Sequence, residues 1–355
     1  MPLFLENVSE DAMLNRQLLV LLVTILFART FTWATATPSP ALLVLNKGDL
    51  TLAIVDPASL QVVARAPSGE DPHEVIASAD GETAYISNYG GLGQGFHTLS
   101  VVDLVAQKAL PPINLGALTA PHGLAEDRGY IYFTAEKSKV IGRYNPVLHR
   151  IDWIMGIGQN RTHMILVASV GQRIITSNVN SNSISILEQY VPKPLTPPRD
   201  PRTGPAPGDW SITNIPVGRG PEGFDLSPDG STIWAANSHD GTVSVIDVAS
   251  KSVTATLNIP TRMANRLKFS PDGKLVLISD IGGTGVVVVD VKSRKEIKRL
   301  PLNGAAAGIL MQPDGARAYV SSGDGVSVID LKTLEVVGRV DSGRKPDGLA
   351  WAVRK

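Results

Sequence analysis

The amino-acid sequence predicts an all-β fold, a seven-bladed β-propeller of four-stranded antiparallel blades. Three observations predict it. Asp-Gly turns recur along the chain, each repeat unit contains four apolar runs, and the units follow one another at roughly 40–50 residues, apart from one insertion. Four strands at that spacing are typical of a propeller blade. Six units begin at Val75, Leu124, Ile165, Phe224, Leu267 and Ile309.

The first two runs of each unit are predicted to form a hairpin. In "FDLSPDGSTIWAAN" from residue 224, an apolar run meets Pro-Asp-Gly and a second apolar run ends in Asn. The same arrangement recurs in "LKFSPDGKLVLISD" from 267 and "ILMQPDGARAYVSS" from 309. Because Gly tolerates the positive φ of tight hairpins, we expect these runs to be adjacent antiparallel strands. The third run of a unit reads like "VSVID", and the fourth alternates around Val or Leu.

The seventh unit is divided between the two ends of the chain. The segment "LAWAV" at 349–353 is predicted to be its first strand, and residues 42–66 supply the other three. Pairing of these segments would close the ring by hydrogen bonds, as a blade shared between the N- and C-termini. We therefore expect a single propeller domain over residues 41–355.

One insertion interrupts the repeat. It spans residues 190–209, "YVPKPLTPPRDPRTGPAPGD", and combines many prolines with few apolar residues. This composition is typical of a polyproline-like loop or a disordered arm. Because it joins the third and fourth strands of its blade, we expect it on the face opposite the connections into the innermost strands.

Several stretches resemble the YVTN-type β-propeller repeat, named after a Tyr-Val-Thr-Asn motif. They include "AYISNYGG" from 84, "AYVSSGDGVSVID" from 318 and "PVGRGPEGF" from 216. The similarity covers nearly all of the chain after Ala41 and is strongest from 216 to 350. The resemblance implies a non-cytoplasmic propeller that handles a ligand. Related families include lactonase-like propellers, secreted proteins without known activity and metal-dependent lyases, so it implies no particular reaction.

The composition excludes several functions. Lys plus Arg and Asp plus Glu each number 33, so no net field favours nucleic acid or an acidic membrane surface. Without cysteine, the chain has no disulfide, no thiolate metal ligand and no cysteine nucleophile. It also lacks a phosphate-binding loop and a haem-attachment motif, so we expect neither nucleotide nor haem. Chemistry is left to His, carboxylate, Arg, Tyr and Ser side chains.

Residues 1–36 are predicted to be a secretory signal peptide. The apolar run "LLVLLVTILFA" at 18–28 follows Arg16, is short for a membrane span and precedes "ATA" at 34–36. Acidic residues ahead of this region make Met13 the expected true start. The alternative is an N-terminal membrane anchor that is kept. Either way we expect a periplasmic or extracellular protein, with no stable membrane span after signal cleavage.

One position of the repeat gathers titratable residues. His73 lies fifteen residues before Asn88, which ends the second strand of its blade, and the equivalent count locates one residue in every blade. The position begins the innermost strand, so we expect these side chains at the mouth of the central channel. Around the ring this mouth column reads Asp347, His73, His122, His163, Glu222, Asn265 and Ala307.

Three neighbouring imidazoles flanked by carboxylates predict a metal site. His73, His122 and His163 are candidate ligands for Zn²⁺, Fe²⁺ or Mn²⁺, and an open coordination position would polarise a substrate oxygen or activate water. Glu222 and Asp347 are candidate fourth ligands or acid–base groups. Without metal, one His beside either carboxylate could act as a general base. A structural role, with the imidazoles bound to a neighbouring blade or to channel water, is the alternative.

Four arginines precede the mouth column on the same face. Arg219, Arg262 and Arg344 lie three residues before the column position of their blades, and Arg161 lies two before His163. Guanidinium groups around a channel can hold a carboxylate or phosphate bidentately, which predicts a small anionic ligand. Pairing of each Arg with a neighbouring acid is the alternative.

Together these features predict a secreted or periplasmic propeller that binds a small anionic molecule at a His-lined channel mouth. If the protein is an enzyme, metal-assisted hydrolase, lyase or isomerase chemistry on a lactone-like or carboxylated substrate fits best. The alternative is a non-catalytic scaffold for another protein or a cell-envelope polymer, with residues 190–209 as the predicted contact. Nucleic acid is not expected as a partner, because a basic excess and aromatic platforms are missing.

Overall fold

The computed structural model describes most of the chain after residue 34. The predicted signal peptide, apart from Thr35 and Ala36, and the predicted Pro-rich loop at 190–209 lie outside the described residues. In the part of the chain that is described, no helix has the length and apolar character needed to cross a membrane. The described residues are 35–91, 93, 95–169, 171–189, 210–283 and 285–355.

Seven antiparallel sheets of four strands each confirm the predicted propeller. Strand order within a sheet follows the chain, except in blade one, where the last strand of the chain precedes β1. Blade one comprises β28 (Pro346–Ala352), β1 (Ala41–Asn46), β2 (Thr51–Asp56) and β3 (Gln61–Pro67); blade two comprises β4 (Pro72–Ala77), β5 (Thr83–Asn88), β6 (Thr98–Asp103) and β7 (Lys108–Asn114); blade three comprises β8 (Pro121–Asp127), β9 (Tyr130–Ala135), β10 (Val140–Asn145) and β11 (Arg150–Gly156).

The remaining four blades repeat this arrangement without a break in chain order. Blade four comprises β12 (Thr162–Ala168), β13 (Arg173–Asn178), β14 (Ser183–Gln189) and β15 (Trp210–Pro216), with a short 3-10 helix (Val179–Ser181) after β13; blade five comprises β16 (Pro221–Leu226), β17 (Thr232–Asn237), β18 (Thr242–Asp247) and β19 (Ser252–Asn258); blade six comprises β20 (Ala264–Phe269), β21 (Leu275–Asp280), β22 (Gly285–Asp290) and β23 (Lys295–Pro301); blade seven comprises β24 (Ala306–Met311), β25 (Arg317–Ser322), β26 (Gly325–Asp330) and β27 (Glu335–Val340).

The Pro-Asp-Gly turns form the predicted hairpins between the first and second strands. In blade five, Gly230 has a φ of 73°, in the left-handed region that Gly adopts without strain. The Asp229 carboxylate accepts hydrogen bonds from the Ser231 amide at 3.0 Å and the Ser227 hydroxyl at 2.6 Å. The recurring Ser-Pro-Asp-Gly sequence therefore satisfies the polar groups of its own turn.

The hydrophobic core lies between neighbouring blades. Leu43 and Ile54 of blade one pack with Val75 and Ile86 of blade two, all almost fully buried. Burying one such aliphatic side chain contributes about 1.5–3 kcal/mol. Because the sheets bury their faces against each other, the edges of the innermost strands are left to line the channel with polar side chains.

The ring closes through blade one, as predicted. β1 pairs antiparallel with β28, with Ala41 opposite Ala352 and Leu43 opposite Ala350. The Trp351 indole Nε1 donates a hydrogen bond to the Met311 carbonyl of blade seven at 2.8 Å. The last strand of the chain therefore joins the first blade to the seventh.

Candidate functional site

Each innermost strand begins three residues before the start that the apolar pattern predicts, because of a β-bulge. In blade two, Pro72 pairs with Asn88, and regular pairing resumes only at Val75. His73 lies inside this bulge, where the strand bends and its side chain is directed to the channel. Equivalent irregularities occur at the start of the innermost strands of blades three to seven.

Hydroxyl groups of the preceding blade hold the backbone of the mouth column. The Thr134 hydroxyl donates to the His163 carbonyl at 2.8 Å, and the Ser177 hydroxyl donates to the Glu222 carbonyl at 3.0 Å. These hydroxyls belong to the next-to-last residue of each second strand. The sequence analysis missed this role, although a Ser or Thr recurs there in most blades. Ser279 and Ser321 bind the carbonyls of Ala307 and Asp347 in the same way.

All seven residues of the predicted mouth column line one cavity of about 510 Å³. The lining is asymmetric. Blades one to five contribute mostly charged and imidazole side chains, whereas blades six and seven contribute small or apolar residues beside Asn265, Arg266 and Asp324. The cavity therefore offers one polar wall and one wall that is largely apolar, formed by Ile281, Ala305, Ala307 and Gly323.

His163 lies buried between two carboxylates. Its Nδ1 atom contacts Glu136 Oε1, and its Nε2 atom lies 2.8 Å from Glu222 Oε1. Burial alone would lower the pKa of His163, but the charges and hydrogen bonds of Glu222 and Glu136 outweigh it and raise the pKa to about 9. Burial likewise works against ionisation of Glu222, but the His163 cation lowers its pKa to about 2. At neutral pH His163 is therefore an imidazolium.

His122 stacks on His163 and stays neutral. Their ring centroids are 3.7 Å apart, and the ring planes are inclined by 30°. Burial, reinforced by the charges of His163 and His73, holds the pKa of His122 well below its usual value. Its Nδ1 atom is buried and has no hydrogen-bond partner within the described residues. One buried imidazole nitrogen in the polar wall is thus left without a hydrogen-bond partner among the described residues.

His73 binds charged neighbours instead of joining the other two imidazoles closely. Its Nε2 atom lies 2.7 Å from Lys47 Nζ and 3.2 Å from Asp71 Oδ1, while its Nδ1 atom is 3.7 Å from Asp347 Oδ2. Its ring centroid is 4.9 Å from that of His122. Both nitrogens of His73 therefore already face protein charges.

Glu136 and Tyr89 belong to the site but were not predicted. The Tyr89 hydroxyl donates to Glu136 Oε2 at 2.6 Å, and Glu136 is buried. Each residue directly follows the second strand of its blade, as Lys47 does in blade one. The residue that directly follows the second strand is equivalent in every blade. Aligning these positions would have identified Lys47, Tyr89 and Glu136 from the sequence.

The described residues contain one group whose geometry could hold a metal ion. It consists of His122, Glu136 and His163, whose ligand atoms all lie within 4.8 Å of one another. His73 is not part of this group. The structure thus brings together two of the three predicted imidazoles, and the carboxylate of Glu136 from blade three replaces His73 as the third potential ligand. Metal binding itself stays a prediction.

Of the four predicted arginines, only Arg161 lines the cavity. Its Nη2 atom lies 3.4 Å from Glu222 Oε1, and its Nε atom lies 3.9 Å from Glu136 Oε2. Because these contacts are long and a guanidinium has five N–H donors, Arg161 retains donors for a ligand.

The other three arginines lie outside this lining. The Nε atom of Arg219 lies 2.6 Å from Asp240 Oδ1, and that of Arg344 lies 2.6 Å from Asp49 Oδ1. Substrate binding by Arg219, Arg262 and Arg344 stays a prediction, and two of them have the neighbouring acid that the alternative interpretation requires.

A buried ion pair spans the channel. Arg266 of blade six reaches Glu74 of blade two, on the opposite side of the ring, and both are largely buried. Each residue directly follows the mouth-column residue of its blade. Burial lowers the pKa of the Arg266 guanidinium, but Glu74 and neighbouring carboxylates outweigh it and raise the pKa. Arg266 also lines the cavity, so its guanidinium group forms part of the cavity wall.

The fold and the site together define a seven-bladed β-propeller with a polar cavity at one mouth of its channel. No family model matches the chain, so the YVTN-type repeat stays a prediction. A seven-bladed beta-propeller protein of Mycobacterium tuberculosis is 27% identical over 158 residues. That match covers 42% of this chain and 40% of the mycobacterial protein, so it supports the architecture and assigns no activity.

Solved structures with low sequence identity share the fold. A functionally unknown protein from Desulfotomaculum acetoxidans superposes with a TM-score of 0.70 at 12% identity, covering 89% of this chain and 100% of that chain. A proposed 6-phosphogluconolactonase from Bacteroides uniformis superposes with a TM-score of 0.67 at 13% identity, covering 88% of this chain and 99% of that chain. At such identities the likeness concerns the fold alone.

Proposed function

We propose that the protein binds a small molecule with a carboxylate or phosphate group in the cavity at the channel mouth. One observation carries the proposal: two buried polar atoms in that cavity, His122 Nδ1 and Asn265 Oδ1, lack hydrogen-bond partners among the described residues. Leaving such an atom unsatisfied costs about 1–3 kcal/mol. Because Asn265 Oδ1 accepts hydrogen bonds, a ligand that meets both atoms, on opposite sides of the ring, must carry a donor such as a hydroxyl group besides its anionic group.

Cationic side chains favour an anionic ligand. Lys345 lines the cavity and has no ion-pair partner within the described part of the chain, and Arg161 retains free donors. Lys47 and Arg266 also line the cavity, but Asp347 and Glu74 pair with them, so Lys345 and Arg161 carry the preference for an anion. A bidentate contact to Arg161 would fix the orientation of a carboxylate or phosphate.

The apolar wall sets the shape of the remaining part of the ligand. Ala307 is the mouth-column residue with the smallest side chain, and Ala305 and Gly323 beside it are equally small. These small residues leave room for part of a ligand on the blade-seven side of the cavity. A ligand with a compact apolar body opposite its anionic group fits this asymmetry.

Calorimetric titration with a panel of small carboxylates and phosphate esters tests the proposal. The variants Arg161→Gln and Lys345→Gln should weaken binding by roughly 10-fold or more, as expected when one charge-assisted hydrogen bond of about 1.5–3 kcal/mol is lost. Arg219→Gln is the matched control, because Arg219 lies outside the cavity. Equal losses in all three variants, or no binding by any member of the panel, would contradict the proposal.

A non-catalytic scaffold is the competing function. Its predicted contact, residues 190–209, lies outside the described residues. A protein whose partner binding survives Arg161→Gln but is lost on deletion of 190–209 would support the scaffold instead.

We also propose export from the cytoplasm, supported by the apolar run at 18–28 and the "ATA" sequence at 34–36. Sequencing of the N-terminus of the protein recovered from a host cell envelope or medium should show a start at Thr37. A start upstream of the apolar run would contradict cleavage and favour the anchor.

A further inference from the structure

We infer that His122, Glu136 and His163 form a binding site for a divalent transition-metal ion in the polar wall of the mouth cavity. Two imidazole nitrogens and one carboxylate oxygen are a ligand set that suits Zn²⁺, with one coordination position left open. All three residues are buried, and His122 and His163 line the cavity. The ion would therefore be held by the protein on one side and face the ligand space on the other.

The separations of the three ligands are close to those that an ion requires. A tetrahedral ion with bonds of about 2.0–2.2 Å keeps its ligand atoms roughly 3.4 Å apart. The three atoms already lie within 4.8 Å of one another. Side-chain rotations would bring the atoms to that spacing, and the ion would take the place of the proton that His163 Nδ1 shares with Glu136.

Two outer contacts already orient these ligands. Glu222 Oε1 lies 2.8 Å from His163 Nε2, on the side of the ring opposite Glu136. The Tyr89 hydroxyl donates to Glu136 Oε2 at 2.6 Å, which leaves Oε1 for the ion. Metal-ligating His residues commonly donate their second N–H to a carboxylate, and ligating carboxylates are commonly hydrogen-bonded. Glu222 and Tyr89 are thus positioning residues in this site.

The unpartnered Nδ1 atom of His122 is an independent observation in favour of a ligand. In a purely structural network this buried nitrogen would stay unsatisfied, at a cost of about 1–3 kcal/mol. His122 can therefore act as a ligand without losing an existing partner.

His73 is excluded from the ligand set by its neighbours. Lys47 Nζ lies within 3.2 Å of both of its ring nitrogens, and a second cation beside that ammonium would be repelled. This assignment differs from a three-imidazole site and can be told apart from it by mutation. A bound ion would also extend the proposed function, since its open position could polarise an anionic oxygen of the ligand.

The test is titration of chelator-treated full-length protein with Zn²⁺ by calorimetry and with Co²⁺ by visible absorption, which reports the coordination geometry. One ion per chain is expected. The variants His122→Ala and Glu136→Gln should weaken metal affinity by roughly 100-fold or more, and Tyr89→Phe by roughly 10-fold. The matched control, His73→Ala, removes an imidazole from the same cavity and should weaken metal affinity far less than His122→Ala does.

Two results would overturn the inference. One is the absence of stoichiometric binding to the wild type, and the other is a loss of affinity in His73→Ala as large as in His122→Ala. Thermal unfolding of each metal-free variant shows whether it is folded before titration. Titration of the metal-free wild type with the carboxylate panel separates the two proposals, because ligand binding without metal binding would reject this inference and leave the proposed function standing.

Discussion

His122 and His163 occupy equivalent positions in neighbouring blades, yet their surroundings give them opposite charge states. His163 lies between Glu136 and Glu222, whose negative charges outweigh the cost of burying an imidazolium. His122 is equally buried, but its nearest charged neighbour in the column is the His163 cation. The two imidazoles can therefore play different roles, His163 as a partner of two carboxylates and His122 as a residue with an unpartnered ring nitrogen.

Ala307 shows how a missing side chain shapes the same cavity. Every other member of the mouth column has a polar side chain, whereas Ala307 leaves space over blade seven. The size of this residue should therefore decide which ligands enter, while the polar wall decides their charge.

Ala307→Leu should weaken binding of a ligand with an apolar body by roughly 10-fold or more, since overpacking costs about 1–3 kcal/mol. Inorganic phosphate, which needs only the polar wall, should keep its affinity. Calorimetric titration of both ligands measures the difference. Ala249→Leu, an exposed turn position, serves as the control. If Ala307→Leu binds the ligand with an apolar body as tightly as the wild type does, this assignment of the apolar wall is contradicted.

At the scale of the elements, the bulge at the start of each innermost strand brings equivalent residues of the repeat to the cavity lining. Residues 73, 122, 163, 222, 265 and 307 all lie within these irregularities. A regular ladder would pair them with the second strand, and their alternating side chains would pack between blades. The bulge instead directs them to the channel, and hydroxyls of the preceding blade hold the bent backbone in place.

Ser177→Ala should lower the free energy of unfolding by about 1–3 kcal/mol, because two partly buried hydrogen bonds are lost. The Ser177 hydroxyl accepts from the Met164 amide at 3.2 Å and donates to the Glu222 carbonyl at 3.0 Å, which links blades four and five. Denaturant unfolding measures the effect. Ser211→Ala removes an exposed hydroxyl bond of 3.4 Å from blade four and should cost much less. If both variants are equally stable, the hydroxyl does not hold the column.

At the scale of the whole molecule, stability depends on closing the ring. Neighbouring blades bury their apolar faces against each other, so an open end would expose one such face. β28 prevents this by pairing with β1 and packing against blade seven. Closure therefore couples all seven blades, and the channel mouth keeps its shape only while the ring is intact.

Deletion of residues 346–355 should abolish the cooperative unfolding transition, because it removes the innermost strand of blade one. Circular dichroism during heating and gel filtration measure the outcome. Deletion of 353–355 alone keeps β28, and we expect it to retain the transition with a small decrease in midpoint. A folded monomer after the longer deletion would show that the ring does not need this closure.

The sequence by itself determined the repeat, the seven blades, the split blade and the residues that meet at the mouth. These features follow from local turn chemistry and from strand periodicity, and both depend only on the order of residues along the chain. The same periodic count would have located Tyr89 and Glu136, had it been applied one residue past the second strands. The strand starts were placed three residues late, because a bulge interrupts the apolar alternation without ending the strand.

Only the tertiary structure decided which side chains touch and which charges they carry. Glu136 reaches His163 from the neighbouring blade, Lys47 draws His73 away from His122, and Arg219 turns to Asp240 outside the cavity. Each of these choices depends on distances between blades of the assembled ring, and residues far apart in sequence set them. The charge of an imidazole depends on burial and on neighbours within a few ångströms, and neither is fixed until the ring has closed.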